Sequence, residues 1–157
     1  MSKIEARLSE LGLTLPEATA PIANYVPFTV TGTTVYISGQ VPRKDGKIFP
    51  VGQVGDAVSV QDAQAAAKNC MLSILAQAKA AAGGDLDRIA RVLRVTGYVN
   101  SAPGFGDQPA VINGASDLAV EVFGEAGRHA RSAVGVAALP GGAAVEVEAI
   151  LELRAAG

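Results

Sequence analysis

The residues best equipped for chemistry lie in one stretch, HARSAVGVAALPGGAAVEVEAILEL from His129 to Leu153, where Arg131 heads one apolar run and Glu146 sits on the next. A guanidinium is always charged and presents its N–H groups as a rigid fork, which suits two-point capture of a carboxylate. A glutamate at the same cleft can orient a water and manage its proton. If the two runs pair as a hairpin through Leu139-Pro140-Gly141-Gly142, Arg131 and Glu146 come toward one pocket wall, a small anion site in outline. The same residues also allow a plain ion pair, with Arg131 a structural partner of Glu146 or Glu148. Glu146 and Glu148 share strand parity, and a strand face bearing two carboxylates is most often solvated. The catalytic reading therefore requires a further wall over Glu146.

Other chemistry is scarce. His129 is the only histidine and shares strand parity with Arg131, which suits a supporting hydrogen bond better than a general base. Cys70 is the only cysteine and falls mid-helix on an apolar stripe, so it reads as core, and one cysteine excludes a disulfide within the chain. The glycines of PGFGDQP and Pro140-Gly141-Gly142 lack the strand-to-helix context of a phosphate loop and read as turns. A single histidine makes no Ser/His/Asp set, and the acidic residues are not spaced as a metal cluster. The expected site needs neither metal nor cofactor.

The elements that must position these groups follow from periodicity. Ile4, Leu8 and Leu11 recur at helical spacing among charges, giving a short amphipathic helix closed by Gly12 and Pro16. Phe28 to Thr31 and Thr34 to Ser38 are β-rich runs around Gly32-Thr33, a hairpin. Residues 41–58 carry Pro42, Asp45-Gly46, Pro50, Gly52 and Gly55 and read as a long turn-rich loop. Ser59 and Asp62 open a helix that runs from Val60 to Ala82 and ends at Gly83-Gly84, with Ala66, Cys70, Ile74 and Ala78 along one stripe. A strand over 90–99, a helix over about 109–123 closed by Gly124, and strands over 131–138 and 144–153 complete the chain. The order predicts an α+β domain, a mixed sheet with two helices on one face. The opposite face is expected to be apolar and covered by another subunit.

A chain of 157 residues fits one domain, here 1–157 with a helical extension over about 1–15. Apolar residues make up 49% and charged residues 18%, a composition that packs and that leaves apolar surface to be hidden in an oligomer. A net charge of -2 offers no electrostatic footprint for nucleic acid. No apolar run is long enough to span a bilayer, and the N-terminus has no signal-like apolar region, so a cytoplasmic protein is expected.

With residues assigned to elements, the chain resembles the RidA/YjgF family of reactive-intermediate imine deaminases, whose older label is L-PSP endoribonuclease. The resemblance runs from roughly Leu11 to Leu153. It rests on an ordered set: the Tyr25 segment, VYISGQVP from Val35 to Pro42, the long helix, a helix ending VFGE, then ARSAV, LP and VEVEA. The N-terminal helix, GLTLPEA and NGASDLAVEVFGEAGRHARSAVGVAALP are most similar to a longer branch. What the resemblance implies is a chorismate-mutase-like fold, a homotrimer whose sheets line a barrel, and a small-molecule cleft at each subunit interface. It assigns Arg131 to the substrate carboxylate and Glu146 to the water. Tyr25, from the adjacent subunit, falls at the cleft mouth, and Ser38-Gly39 forms a backbone-lined wall. The family's cleft asparagine aligns with Asn113 across a few extra residues in the following helix, and Ala133 stands where many members carry cysteine.

The expected activity is hydrolysis of small 2-imino acids, or of the enamines that tautomerise to them, to 2-oxo acids and ammonia. The expected partner is a small carboxylate-bearing metabolite. One rival is a trimer that binds such carboxylates without turnover. The other, an endoribonuclease, is disfavoured by the lack of a second histidine and of a basic stripe.

Overall fold

The computed structural model describes residues 2–20 and 23–155; Met1, Pro21, Ile22, Ala156 and Gly157 lie outside the described residues. Ten elements follow in the order α1 (Lys3–Glu10), β1 (Phe28–Thr31), β2 (Thr34–Gln40), β3 (Arg43–Lys44), β4 (Lys47–Ile48), α2 (Val60–Ala81), β5 (Ile89–Asn100), α3 (Gln108–Phe123), β6 (Ala130–Val136) and β7 (Val145–Leu153). Each start has a local cause. Ser2 and Glu5 form a reciprocal capping box on α1, and the Ser59 hydroxyl accepts from the Asp62 amide at the head of α2. Gly124, at φ 60°, ends α3.

The main sheet has the order β1-β2-β7-β5-β6. All neighbours are antiparallel except β5 and β6, which run parallel with Val95 opposite Arg131. That parallel pair decides the architecture. Parallel strands need a crossover, and α3 supplies it, returning the chain to the start of β5 and placing β6 at the sheet edge. β7 then pairs on both sides, with β2 and with β5, so the expected β6–β7 hairpin does not form. The turn at Leu139-Pro140-Gly141-Gly142 instead carries the chain across the end of β5. There the Asn100 amide donates to the Ala144 carbonyl, its side-chain Nδ2 donates to Ala143 O, and the next amide, Ser101, reaches Val136 O.

α2 and α3 cover one face of this sheet, and the core lies between. Val145, Val147, Ala149, Leu151 and Leu153 alternate along β7 and are all buried, matched by Ala66, Cys70, Ile74 and Ala78 on α2. Burial of each large side chain contributes about 1.5–3 kcal/mol, so this face carries much of the stability. Cys70 has no exposed surface, and burial, with a smaller push from the charge of Glu146, drives its thiol far above the ordinary range. It is core, not nucleophile. The opposite face differs from expectation. Arg94, Thr96 and Tyr98 of β5 lie beside Ile150, Glu148 and Glu146 of β7, so this face is mixed rather than apolar in every strand. The core already takes the apolar half of each alternation.

The 41–58 loop is more ordered than its turn residues suggest. It folds a two-stranded ribbon, β3–β4, and then bridges back to the strand ends through Val51–Ala143 and Val54–Ser101. α1 is tied down as well: Leu8 is buried, the Asp87 carboxylate accepts from the Lys3 and Ile4 amides, and Lys79 pairs with Glu5. No helix among the described residues is long and apolar enough to cross a membrane.

α2 and α3 approach closely at Gly114, where an added Cβ would lie 2.0 Å from the backbone oxygen of Gln64. Nearby, Gln64 Nε2 donates to Ala110 O at 2.7 Å. Gly114→Ala is therefore expected to lower unfolding free energy by about 1–3 kcal/mol through overpacking, despite alanine's better helix propensity. Equilibrium denaturation measures this, and an unchanged or raised midpoint would mean that the two helices have slack.

Candidate active site

A cleft of about 560 Å³ opens where β2 leaves its register. Pairing with β7 is regular as far as Ile37 opposite Ala149 and resumes at Gln40 opposite Val147, so Ser38 and Gly39 together oppose Glu148 in a bulge. The bulge is held from both sides. Ser38 Oγ donates to Val26 O at 2.8 Å, its amide donates to Pro27 O at 2.9 Å, and Gln40 Nε2 donates to Ser38 O at 2.9 Å. The space that Gly39 leaves is filled by Glu146: a Cβ at this position would lie 2.2 Å from Glu146 Oε1. Tyr25, 57% exposed, stands at the mouth, while Asn69, Ser73 and Gln77 of α2 and Pro16, Glu17, Thr19 and Ala20 form the far wall. Tyr25, Ser38, Gly39 and Glu146 thus line one cleft.

Glu146 is only partly exposed, and among the described residues its carboxylate has no hydrogen-bond partner. Burial holds it above the usual carboxylate range, and the charge of Glu148 adds to that. Glu148 itself accepts from the Tyr98 hydroxyl at 3.0 Å. A carboxylate that is desolvated, unpaired and held against a cleft is a stronger base than one in water.

Arg131 lies elsewhere. Its register partner Val95 is fully buried under the helices, whereas Glu146 pairs with Tyr98 on the open face. β5 stands between their strands, so the single pocket wall expected from a hairpin does not exist within one chain. Nor does the ion pair: among the described residues neither Glu146 nor Glu148 contacts Arg131. Arg131 is held by neutral groups one helical turn apart on α3. Nη1 donates to Asn113 Oδ1 at 2.8 Å and to Ser116 Oγ at 3.2 Å. Both hydrogens of one nitrogen are used, which leaves the Nε and Nη2 edge as a free fork. Ala133 follows on the same strand face, partly buried against the core.

One group escaped the reading of residues alone, while His129 makes the supporting hydrogen bonds expected of it. Ser116 carries no chemical signature, and its three-residue spacing from Asn113 on α3 was the available signal. His129 is tied on both nitrogens, with Nε2 2.9 Å from Ser116 Oγ and Nδ1 2.6 Å from Gly127 O. Among the described residues no three His, Cys, Asp or Glu side chains converge as a metal site would require.

Residues 5–153 match the model of the YjgF/chorismate-mutase-like family, whose description also carries an endoribonuclease label. Protein TCP17 of Trypanosoma cruzi is 50% identical over 153 residues, which span 97% of this chain and 95% of that one. A crystal structure of a protein of unknown function from Agrobacterium tumefaciens is similar at 54% identity and a TM-score of 0.88, covering 96% of this chain and 91% of the other. One from Shewanella oneidensis MR-1, provisionally labelled an endoribonuclease, is 37% identical with a TM-score of 0.91 over 96% and 99%. TdcF of Escherichia coli, solved with bound serine, is 26% identical with a TM-score of 0.63 over 88% and 94%.

The environment of Glu146 has a measurable consequence. A raised carboxyl pKa means that the folded state binds more protons than the unfolded chain, so its contribution to stability falls as pH rises from about 4.5 through the folded value. Below that window both states are protonated and nothing is lost. Glu146→Gln is therefore expected to melt higher than wild type at neutral pH, with the difference vanishing in acid. Melting curves of both proteins across pH 3–8 test this range. A variant that melts lower at neutral pH would show that Glu146 is a stabilising partner instead.

Proposed function

This chain belongs to the YjgF/chorismate-mutase-like family, and on that footing we propose that it hydrolyses small 2-imino acids, or their enamine tautomers, to 2-oxo acids and ammonia. The observation that carries this reading is the free fork of Arg131, a fixed cation anchored through Nη1 alone, with no counter-charge among the described residues. A substrate carboxylate supplies that charge through two parallel hydrogen bonds to Nε and Nη2. Water, oriented by Glu146, adds to the C=N carbon as Glu146 takes its proton. That proton passes to the imine nitrogen to complete the carbinolamine; Glu146 then takes the carbinolamine hydroxyl proton and delivers it to the amino nitrogen, and the C–N bond breaks as the carbonyl forms and ammonia leaves. Imines of this kind decay in water unaided, so holding the acid and delivering water is sufficient catalysis.

Within one chain the two halves of this machinery are apart, and the reading joins them between copies. One subunit contributes Tyr25, Ser38, Gly39 and Glu146; its neighbour contributes Arg131, Asn113 and Ala133. A homotrimer closes three such clefts and supplies the wall that Glu146 requires. Binding without turnover is the second reading, favoured by the bound serine of TdcF, a small carboxylate-bearing ligand. Ribonuclease chemistry fits poorly: the only histidine is engaged on both ring nitrogens, and the net charge is -2.

Three measurements check this proposal. Purified protein added to freshly generated 2-iminobutanoate is expected to speed ammonia release and suppress semicarbazide trapping, and an unchanged rate would leave only the binding reading. Light scattering is expected to give three times the 15.9 kDa chain mass, and a stable monomer would dissolve the shared cleft. Arg131→Lys keeps the charge but loses the fork, so affinity for 2-oxobutanoate is expected to fall by about 1.5–3 kcal/mol with melting temperature held.

A further inference from the structure

We propose that Ser116 and His129 are positioning residues that hold the Arg131 guanidinium ready for a carboxylate while leaving its charge uncompensated. The role rests on the carboxylate reading of Arg131 above. An arginine only donates, so Ser116 Oγ accepts from Nη1 at 3.2 Å and its own hydrogen must go elsewhere. His129 Nε2, at 2.9 Å, is the acceptor in reach. At the other end the Gly127 carbonyl only accepts, so His129 Nδ1, at 2.6 Å, carries the ring proton. With the ring proton on Nδ1, every member of the set finds its partner within the chain. The chain then runs one way, from Arg131 to Ser116, to His129, to Gly127.

Its far end is firmly seated. Gly127 is buried in the short turn after α3, and a Cβ there would lie 2.1 Å from Ala119 O, so the turn rests directly on the helix backbone. Ser116 and Asn113 also stand on α3. Every anchor of Arg131 is thus referred to one rigid element, as accurate placement of a binding group requires. A carboxylate would hold the guanidinium more tightly, but it would neutralise the charge and occupy the fork. Neutral oxygens fix the plane and spend only Nη1. Restricting the side chain before the ligand arrives removes an ordering cost from binding.

The test uses the whole protein, with 2-oxobutanoate as probe. In wild type, nitrogen-detected NMR of the His129 ring is expected to show the Nδ1–H tautomer. Ser116→Ala is expected to raise the Kd about three- to tenfold, the range of one hydrogen bond, with melting temperature unchanged. Ser116→Thr, which keeps the hydroxyl, is expected to restore affinity to within about twofold of wild type. His129→Leu is expected to weaken binding less than Ser116→Ala, since the hydroxyl remains but loses its direction. If Ser116→Ala fails to fold, the tautomer and His129→Leu decide. Wild-type affinity in both variants, or an Nε2–H tautomer, overturns this proposal alone. A wild-type protein that binds no 2-oxo acid removes the carboxylate reading and this proposal with it.

Discussion

The molecule is organised around β7, the central strand of the five-stranded sheet, paired with β2 on one edge and β5 on the other. Its odd positions from Val145 to Leu153 are buried under the helices, so the even positions must face the other way. A one-residue slip would bring Glu146 and Glu148 into the core, at a cost of several kcal/mol for each unpaired charge. Register is therefore tightly held, and it places Glu146 beside the β2 bulge. The bulge follows from the same constraint. β2 must keep Val35 and Ile37 inside and still make room for a carboxylate two positions further along. An extra residue and a missing Cβ at Gly39 provide that room.

Two charged groups in this fold lack the partners that stability alone would select. Arg131 is held by an amide and a hydroxyl, and Glu146 is desolvated without a hydrogen bond among the described residues. Pairing them within the chain would relieve both, yet the parallel crossover through α3 keeps them on different strands and opposite faces. Local costs of this kind mark positions set by function. The proposed chemistry uses both departures. The cation awaits an anion, and the carboxylate awaits a water.

α3 does more than cover the sheet. It returns the chain for the parallel strand, meets α2 at Gly114, and carries Asn113 and Ser116 over Arg131. Position and chemistry thus come from one helix, and movement of α3 would disturb the core and the guanidinium together. At Gly39, by contrast, the atoms nearest to the missing Cβ belong to the flexible side chain of Glu146. The two half-sites differ accordingly in how closely function is coupled to stability.

Much of this was legible in the residues themselves. Apolar spacing over 3–11, the capping pair Ser59 and Asp62, the stripe through Cys70, and the alternation from Val145 to Leu153 each encode an element and its buried face, because these are local periodicities. The ordered motifs around Tyr25, Ser38 and Arg131 pointed to the family. Strand adjacency was not legible. The turn-rich Pro140-Gly141-Gly142 looks the same whether its flanking strands pair or straddle a third, and only the crossover of α3 places β5 between β6 and β7. That one fact moved Glu146 from Arg131 to Gly39. The Ser116–His129 contact was equally hidden, since it joins residues that share no periodicity and meet only when the turn after α3 folds back against the helix. A sequence records which face a residue belongs to; which residue it meets there depends on how the elements are ordered in space.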